Sequence, residues 1–311
     1  MSFNYNLYAE KRIDDAECYI DIKGKDIRLA VQKMNNLYSL ISIARISLEY
    51  SNKKCYSKND ENSNFVRYVH IKNAILNLNS IYDVSLQVIW FLYRVWNKYD
   101  ILEFSCEDRK KAKKIKRNGE FWIDNAENLC SYKYIIKYLK NSEIKEENEL
   151  GDLLEEFKDK FLFNNKKKFT VRALCNFIKH KGDILVKELN KGTKLEIQSN
   201  IKIGRDVDIL LKCNNDEFPK IKIKKFESIL VDIIYSNNAK SEENFYGKDL
   251  IRRIYTLDEI ILECNKYLEN FYDIYDKNVK ILSKHLIRNP FFRESKVGKS
   301  INVNIDKYFL D

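Results

Sequence analysis

Three histidines occur in the 311 residues, and one of them, His180, lies in the run Arg172-Ala-Leu-Cys175-Asn176-Phe-Ile-Lys179-His180-Lys181. Metal-free acid–base chemistry needs a group that titrates near neutrality, and imidazole is the side chain with that property. A cation beside it could hold a phosphate, and Arg172, Lys179 or Arg94 could provide that charge. Asn176 can orient a phosphate or an imidazole, being donor and acceptor without charge. At 100° per residue, Arg172, Asn176 and His180 share one side of a helix with Lys179 beside them. The rest of the circumference is apolar: Val171, Ala173, Leu174, Cys175, Phe177 and Ile178. The expectation is a largely buried helix with one narrow polar stripe. Unpartnered burial of such groups is costly, so the stripe should face a partner, a cleft or a second subunit. Thr170 is the expected cap and Gly182 the stop.

Other chemistries find less support. The 7 cysteines are scattered without a C-x-x-C pair, which indicates neither a zinc site nor a disulfide framework. Neither G-x-x-x-x-G-K nor H-E-x-x-H occurs. The pair Asp206-Val-Asp208 lacks a preceding Gly-Ser loop and lies in lysine-rich sequence, so no metal and no cofactor is expected. His285 reads as a favourable cation at the end of a helix, and His70 as a surface or seam residue.

The formal charge of +10 favours polyanionic partners. The strongest basic run is Arg109-Lys110-Lys111-Ala-Lys113-Lys114-Ile-Lys-Arg117, with the composition of a nucleic-acid patch and equally of a solvated helix end. The amino-terminal residues lack the basic and apolar regions of a signal peptide, and no apolar run of about 18 residues stands out. A reducing, cytoplasmic setting without a membrane is expected.

Only 8 Gly and 2 Pro predict long, uninterrupted helices. Apolar spacing gives helices over about 26–50, 63–99, 121–141, 143–160, 170–182, 225–236 (resuming after a polar loop at 237–247 to about 253) and 256–286. Asp26 is the expected cap of the first. The helix at 63–99 has a second polar stripe containing Asp83, Gln87 and Arg94, expected to lie opposite the Arg172/His180 stripe and orient it, or to form a satisfied polar seam. Alternating β-branched and lysine residues predict three or four antiparallel strands up to about 224. The chain thus reads as a single helical domain over 1–311. It comprises an amino-terminal segment and helix (1–62), a bundle core (63–182 and 225–290) and a small β insertion (183–224).

Two features make the chain similar to the HEPN superfamily: Asn176-Phe-Ile-Lys-His180 followed by Lys181-Gly182 on a late helix, and the earlier helix with Ser80-Ile-Tyr-Asp83 and Ile89-Trp90. The resemblance spans 65–290 and is strongest to stand-alone bacterial HEPN-like proteins. It implies a mainly α, HEPN-like helical bundle with a small antiparallel β-sheet inserted before the last helices. Many members are metal-independent ribonucleases, often toxins or antiviral effectors. Their signature is an arginine, four to six residues and a histidine, and two protomers place these motifs side by side. Asn176 matches the polar position and His180 the histidine, while Cys175 stands where arginine is the rule. Arg172 lies farther off, with seven residues between it and His180. The resemblance implies His180, Asn176 and Arg172 as the catalytic set. Binding of RNA (tRNA or mRNA) would fall to Lys179, Lys181, Arg109, Lys110, Lys111, Lys113 and Lys114. A homodimer is implied, and an antitoxin or defence-system partner is compatible with it. The alternative is a catalytically inactive interaction module that uses the stripe for dimer or partner contacts.

Overall fold

The computed structural model describes residues 12–56, 60–117, 119–162, 169–189 and 255–290, with backbone fragments of two or three residues between 196 and 223. The protein is mainly helical. In chain order the helices are α1 (Ile27–Asn52), α2 (Asp60–Leu92), α3 (Cys106–Lys114), α4 (Trp122–Glu127), α5 (Tyr132–Lys140), α6 (Lys145–Phe157), α7 (Val171–Lys181) and α8 (Leu257–Ser283). The β insertion expected at 183–224 lies mostly outside the described residues, and the helical stretches expected at 225–236 and on to about 253 lie wholly outside them. The chain divides into two compact units, one formed by 1–39, 82–155 and 273–311, the other by 40–81 and 156–272.

In the first unit, Ile27, Ala30, Val31, Met34 and Leu37 recur at helical spacing along α1 and are buried. The Asp26 carbonyl accepts the first helical bond, from Ala30 N at 3.0 Å. α2 stops earlier than its apolar pattern predicts. Arg94 takes a left-handed conformation (φ 47°), and a short 3-10 turn, Val95–Asn97, follows. The stop is stabilised by the Arg94 guanidinium, which donates to the buried Asp26 carboxylate at 2.7 and 3.0 Å. The helix expected over 121–141 is likewise two helices, α4 and α5, separated near Cys130 and Ser131. The Trp90 indole closes the core there, donating to the Ala126 carbonyl at 2.8 Å.

In the second unit, α1 contributes Ile41, Ala44 and Leu48, and α2 contributes Ile71, Ala74, Ile75 and Leu78. Phe157 and Phe161 meet Tyr267 edge to face at 4.8 and 5.5 Å, a preferred arrangement of aromatic rings. Thr256 and Glu259 form a reciprocal capping box at the start of α8, at 3.0 and 3.2 Å.

One expectation about apolar length is corrected. Asn62–Leu92 contains an 18-residue window of mean hydropathy 1.2, long and apolar enough to cross a membrane by length and composition. Of that window 61% is buried inside the protein, as it is in the core helix of a folded domain.

Candidate functional site

The motif forms the helix it promises. Thr170 is extended, and its Oγ1 accepts from Ala173 N at 3.1 Å, satisfying one of the free amides at the start of α7. Gly182 follows the last turn at φ 98°, a conformation that favours glycine. Beyond it, the Tyr68 hydroxyl donates to the Ile184 carbonyl at 3.1 Å, and Lys72 pairs with Asp183. These contacts fix where α7 ends on α2.

The exposure of α7 departs from expectation. Only Val171, Leu174 and Cys175 are buried, at the three-and-four spacing of one narrow face. Arg172, Phe177 and Ile178 are half-buried, whereas Asn176, Lys179 and His180 are open to solvent. The helix is therefore half in and half out, with its apolar seam narrow and its polar face broad. The side chain of Lys181 lies outside the described residues. Cys175, where the resemblance leads one to expect arginine, is buried. Burial pushes its thiol up, against the downward pull of Lys179 and Arg172, so it is not poised as a nucleophile.

The residues expected to orient the stripe belong to the first unit. Asp83 is exposed and Gln87 half-buried on α2. Arg94 is committed to Asp26 and, at 3.4 Å, to the Lys25 carbonyl. It serves as the latch that ends α2, a different employment from the phosphate cation expected of it.

The basic run lies on α3 as far as Lys114, with Lys116 and Arg117 beyond its end; the helix is capped by Ser105, with Glu107 and Asp108 in its first turn and lysines in its last. That distribution complements the helix dipole. Arg109 pairs with Asp100, Lys111 with Glu107 at 2.7 Å, and Arg117 with Asp21 and Asp26 at 2.9 Å. Lys110, Lys113 and Lys114 are exposed and have no carboxylate partner among the described residues. Lys111 and Lys114 border an open cleft with Asn125 and Asn128, floored by Ile115 and Leu129.

A denser arrangement lies in the first unit, where the sequence offered no motif. The Tyr93 hydroxyl donates to Glu147 Oε1 and lies 3.2 Å from His285 Nε2. Tyr93 is 6% exposed and Glu147 2%. Lys25 Nζ sits 5.4 Å from the centre of the Tyr93 ring, and Lys98 Nζ 4.8 Å from that of Tyr138. His285, Lys25, Lys98 and Tyr138 are all half-buried. Glu147 tolerates its burial because it lies in the first turn of α6, where the helix dipole favours negative charge. Burial, then the Lys25 charge, holds His285 below its ordinary value, while Glu147 pulls it upward. Burial and Lys25 likewise depress Lys98. His285 is thus not the favoured end-of-helix cation of the sequence reading. The residues come from five separate stretches, and the only available signal was a His and a Lys flanking predicted helix ends.

No known protein family, curated protein or solved structure matches this chain.

Proposed function

We propose that this chain is a HEPN-like RNA-binding protein of the cytoplasm, acting as a homodimer, with its small antiparallel sheet inserted within 183–224. The observation that supports this reading is the open face of α7: Asn176, Lys179 and His180 lie within two turns of a capped helix and are all solvent-exposed. Ammonium and amide donors on such a face suit phosphate and base edges, and the exposed lysines of α3 add sequence-independent attraction. Where two copies bring their α7 faces together, one His180 would accept the 2′-hydroxyl proton and the other would protonate the leaving 5′-oxygen. Arg172 or Lys179 would neutralise the phosphate. A toxin or antiviral effector acting on tRNA or mRNA is the role this chemistry fits.

Incubating the full chain with cellular RNA in the presence of EDTA, beside His180→Ala, tests the cleavage step. Cleavage by the parent and not by the variant supports it, and RNA left intact by both removes it. Anisotropy with a labelled single-stranded RNA tests binding separately. A second reading, a catalytically silent interaction module, is favoured by the buried Cys175 in the arginine position. It requires that Asn176→Ala and His180→Ala weaken self-association in sedimentation while RNA binding stays absent.

A further inference from the structure

We propose that Lys25, Lys98 and His285 form a binding site for a phosphate-class oxyanion on the first unit, built independently of the α7 face. Three nitrogen-bearing side chains converge there on an aromatic floor of Tyr93 and Tyr138. Among the described residues, neither Lys25 nor Lys98 has an ion-pair partner, although both are half-buried. A half-buried ammonium without a counter-charge costs free energy, and the charge of Lys25 acting on Lys98 adds to that cost. Among the described residues, the acid that acts on both Lys98 and His285, Glu147, already holds the Tyr93 hydroxyl, and Asp26 beside Lys25 is taken by Arg94 and Arg117. The neighbouring acid Glu146 is taken by Lys284 at 2.8 Å. The cluster therefore carries more positive charge than the fold neutralises, and mutual repulsion of this kind is characteristic of sites that await an anion.

The hydrogen bonds also fix the histidine. Tyr93 has a single hydroxyl proton, and the bond it donates places that proton toward Glu147 Oε1. His285 Nε2 must then carry hydrogen and donate to the Tyr93 oxygen, which leaves Nδ1 as the free nitrogen. A bound oxyanion favours protonation at Nδ1, so binding takes up a proton and weakens as pH rises. The groups that set this equilibrium are Tyr93 at the end of α2, Tyr138 on α5, Glu147 on α6, Lys25 in the turn before α1, Lys98 after the 3-10 turn, and the adjacent Lys284. Three separate donors match the several oxygens of a phosphate, and their positive charge rejects metal ions.

The test uses the full chain and follows the three histidine ring signals by NMR. Inorganic phosphate, adenosine monophosphate and a single-stranded oligoribonucleotide are added in separate titrations. The expected result is a saturable shift of the His285 signal with little change at His180. Lys25→Met with Lys98→Met, which keeps the stems and removes the charges, should weaken binding by about tenfold or more. The same double variant should melt no lower than the parent when no anion is present, because repulsion has been relieved. Lys98→Arg should retain binding. Equal binding by the double Met variant, or no saturable His285 response to any of the three ligands, overturns the proposal. Tighter binding of the oligoribonucleotide than of inorganic phosphate at this site assigns the oxyanion to RNA, and the reverse assigns it to a free phosphate. Asn176→Ala and His180→Ala should leave the phosphate response unchanged. Loss of RNA binding in those variants alone would therefore speak to the α7 reading and not to this one.

Discussion

His285 and His180 occupy contrasting surroundings. His285 is half-buried, stands edge-on to Tyr93 at 5.7 Å between ring centres, and belongs to a chain of bonds that ends on a buried carboxylate. His180 stands in solvent on the last turn of an eleven-residue helix. The first is coupled to folding through every neighbour it touches. The second can change with little consequence for the fold, so any effect of its loss must come from what it meets outside this chain. A polar residue's energetic coupling and its availability to a partner are thus distributed in opposite ways over the two units.

The largest effect should come from Glu147→Ala. Removing the carboxylate strands the buried Tyr93 hydroxyl and adds to the positive charge that Lys25 and Lys98 already leave unneutralised, at a cost of about 3–5 kcal/mol in urea unfolding. A loss below about 1 kcal/mol would mean that the cluster is not coupled to folding. Tyr93→Phe comes next, at about 1–3 kcal/mol, since it leaves a buried Glu147 oxygen and a His285 nitrogen unsatisfied. In the other unit, Thr170→Ala removes the α7 cap and should cost about 1 kcal/mol, with Thr170→Ser recovering most of it.

The pH dependence is smaller and has a definite sign. His285 is held down in the folded protein, so as pH falls the unfolded chain takes up the proton first. Its contribution to stability is present above the unfolded value of about 6.5 and drains away on acidification toward the lower folded value. His285→Gln should flatten that part of the stability curve, whereas His180→Ala should not. Smallest of all, Asn176→Ala and His180→Ala should each change stability by less than about 0.5 kcal/mol. A larger loss in dilute monomer would contradict the solvent exposure of α7.

Local signals carried much of the fold. Thr170, Gly182, Asp26 and the apolar spacing in α1, α7 and α8 each act within a turn or two of their own position, and those helices lie close to where the pattern puts them. α2 ends early for a non-local reason, because Arg94 finds Asp26 across 68 positions of sequence. The break between α4 and α5 has a similar origin, since Trp90 takes up the Ala126 carbonyl. The α7 stripe was legible as a helix face but not as a solvent-facing one. Periodicity states which residues share a side, and Phe177 and Ile178 do not reveal that they stay half-exposed. The Tyr93 cluster was illegible because no two of its principal members are neighbours in the chain. Only the fold gives Lys25 and His285 a common environment.

One small contact near the end of α7 has an architectural consequence. Val186 and Tyr255 form a parallel bridge, with Lys187 N bonded to the Tyr255 carbonyl at 2.8 Å and Tyr255 N to the Leu185 carbonyl at 3.0 Å. Just beyond, both carboxylate oxygens of Glu188 accept from Leu257 N, at 3.1 and 3.2 Å. The stretch that follows α7 and the stretch that leads into α8 are thus held side by side, and Glu188 caps the start of α8 from 69 positions away in sequence. Glu188→Ala should therefore loosen the first turn of α8, read as faster amide exchange at Leu257.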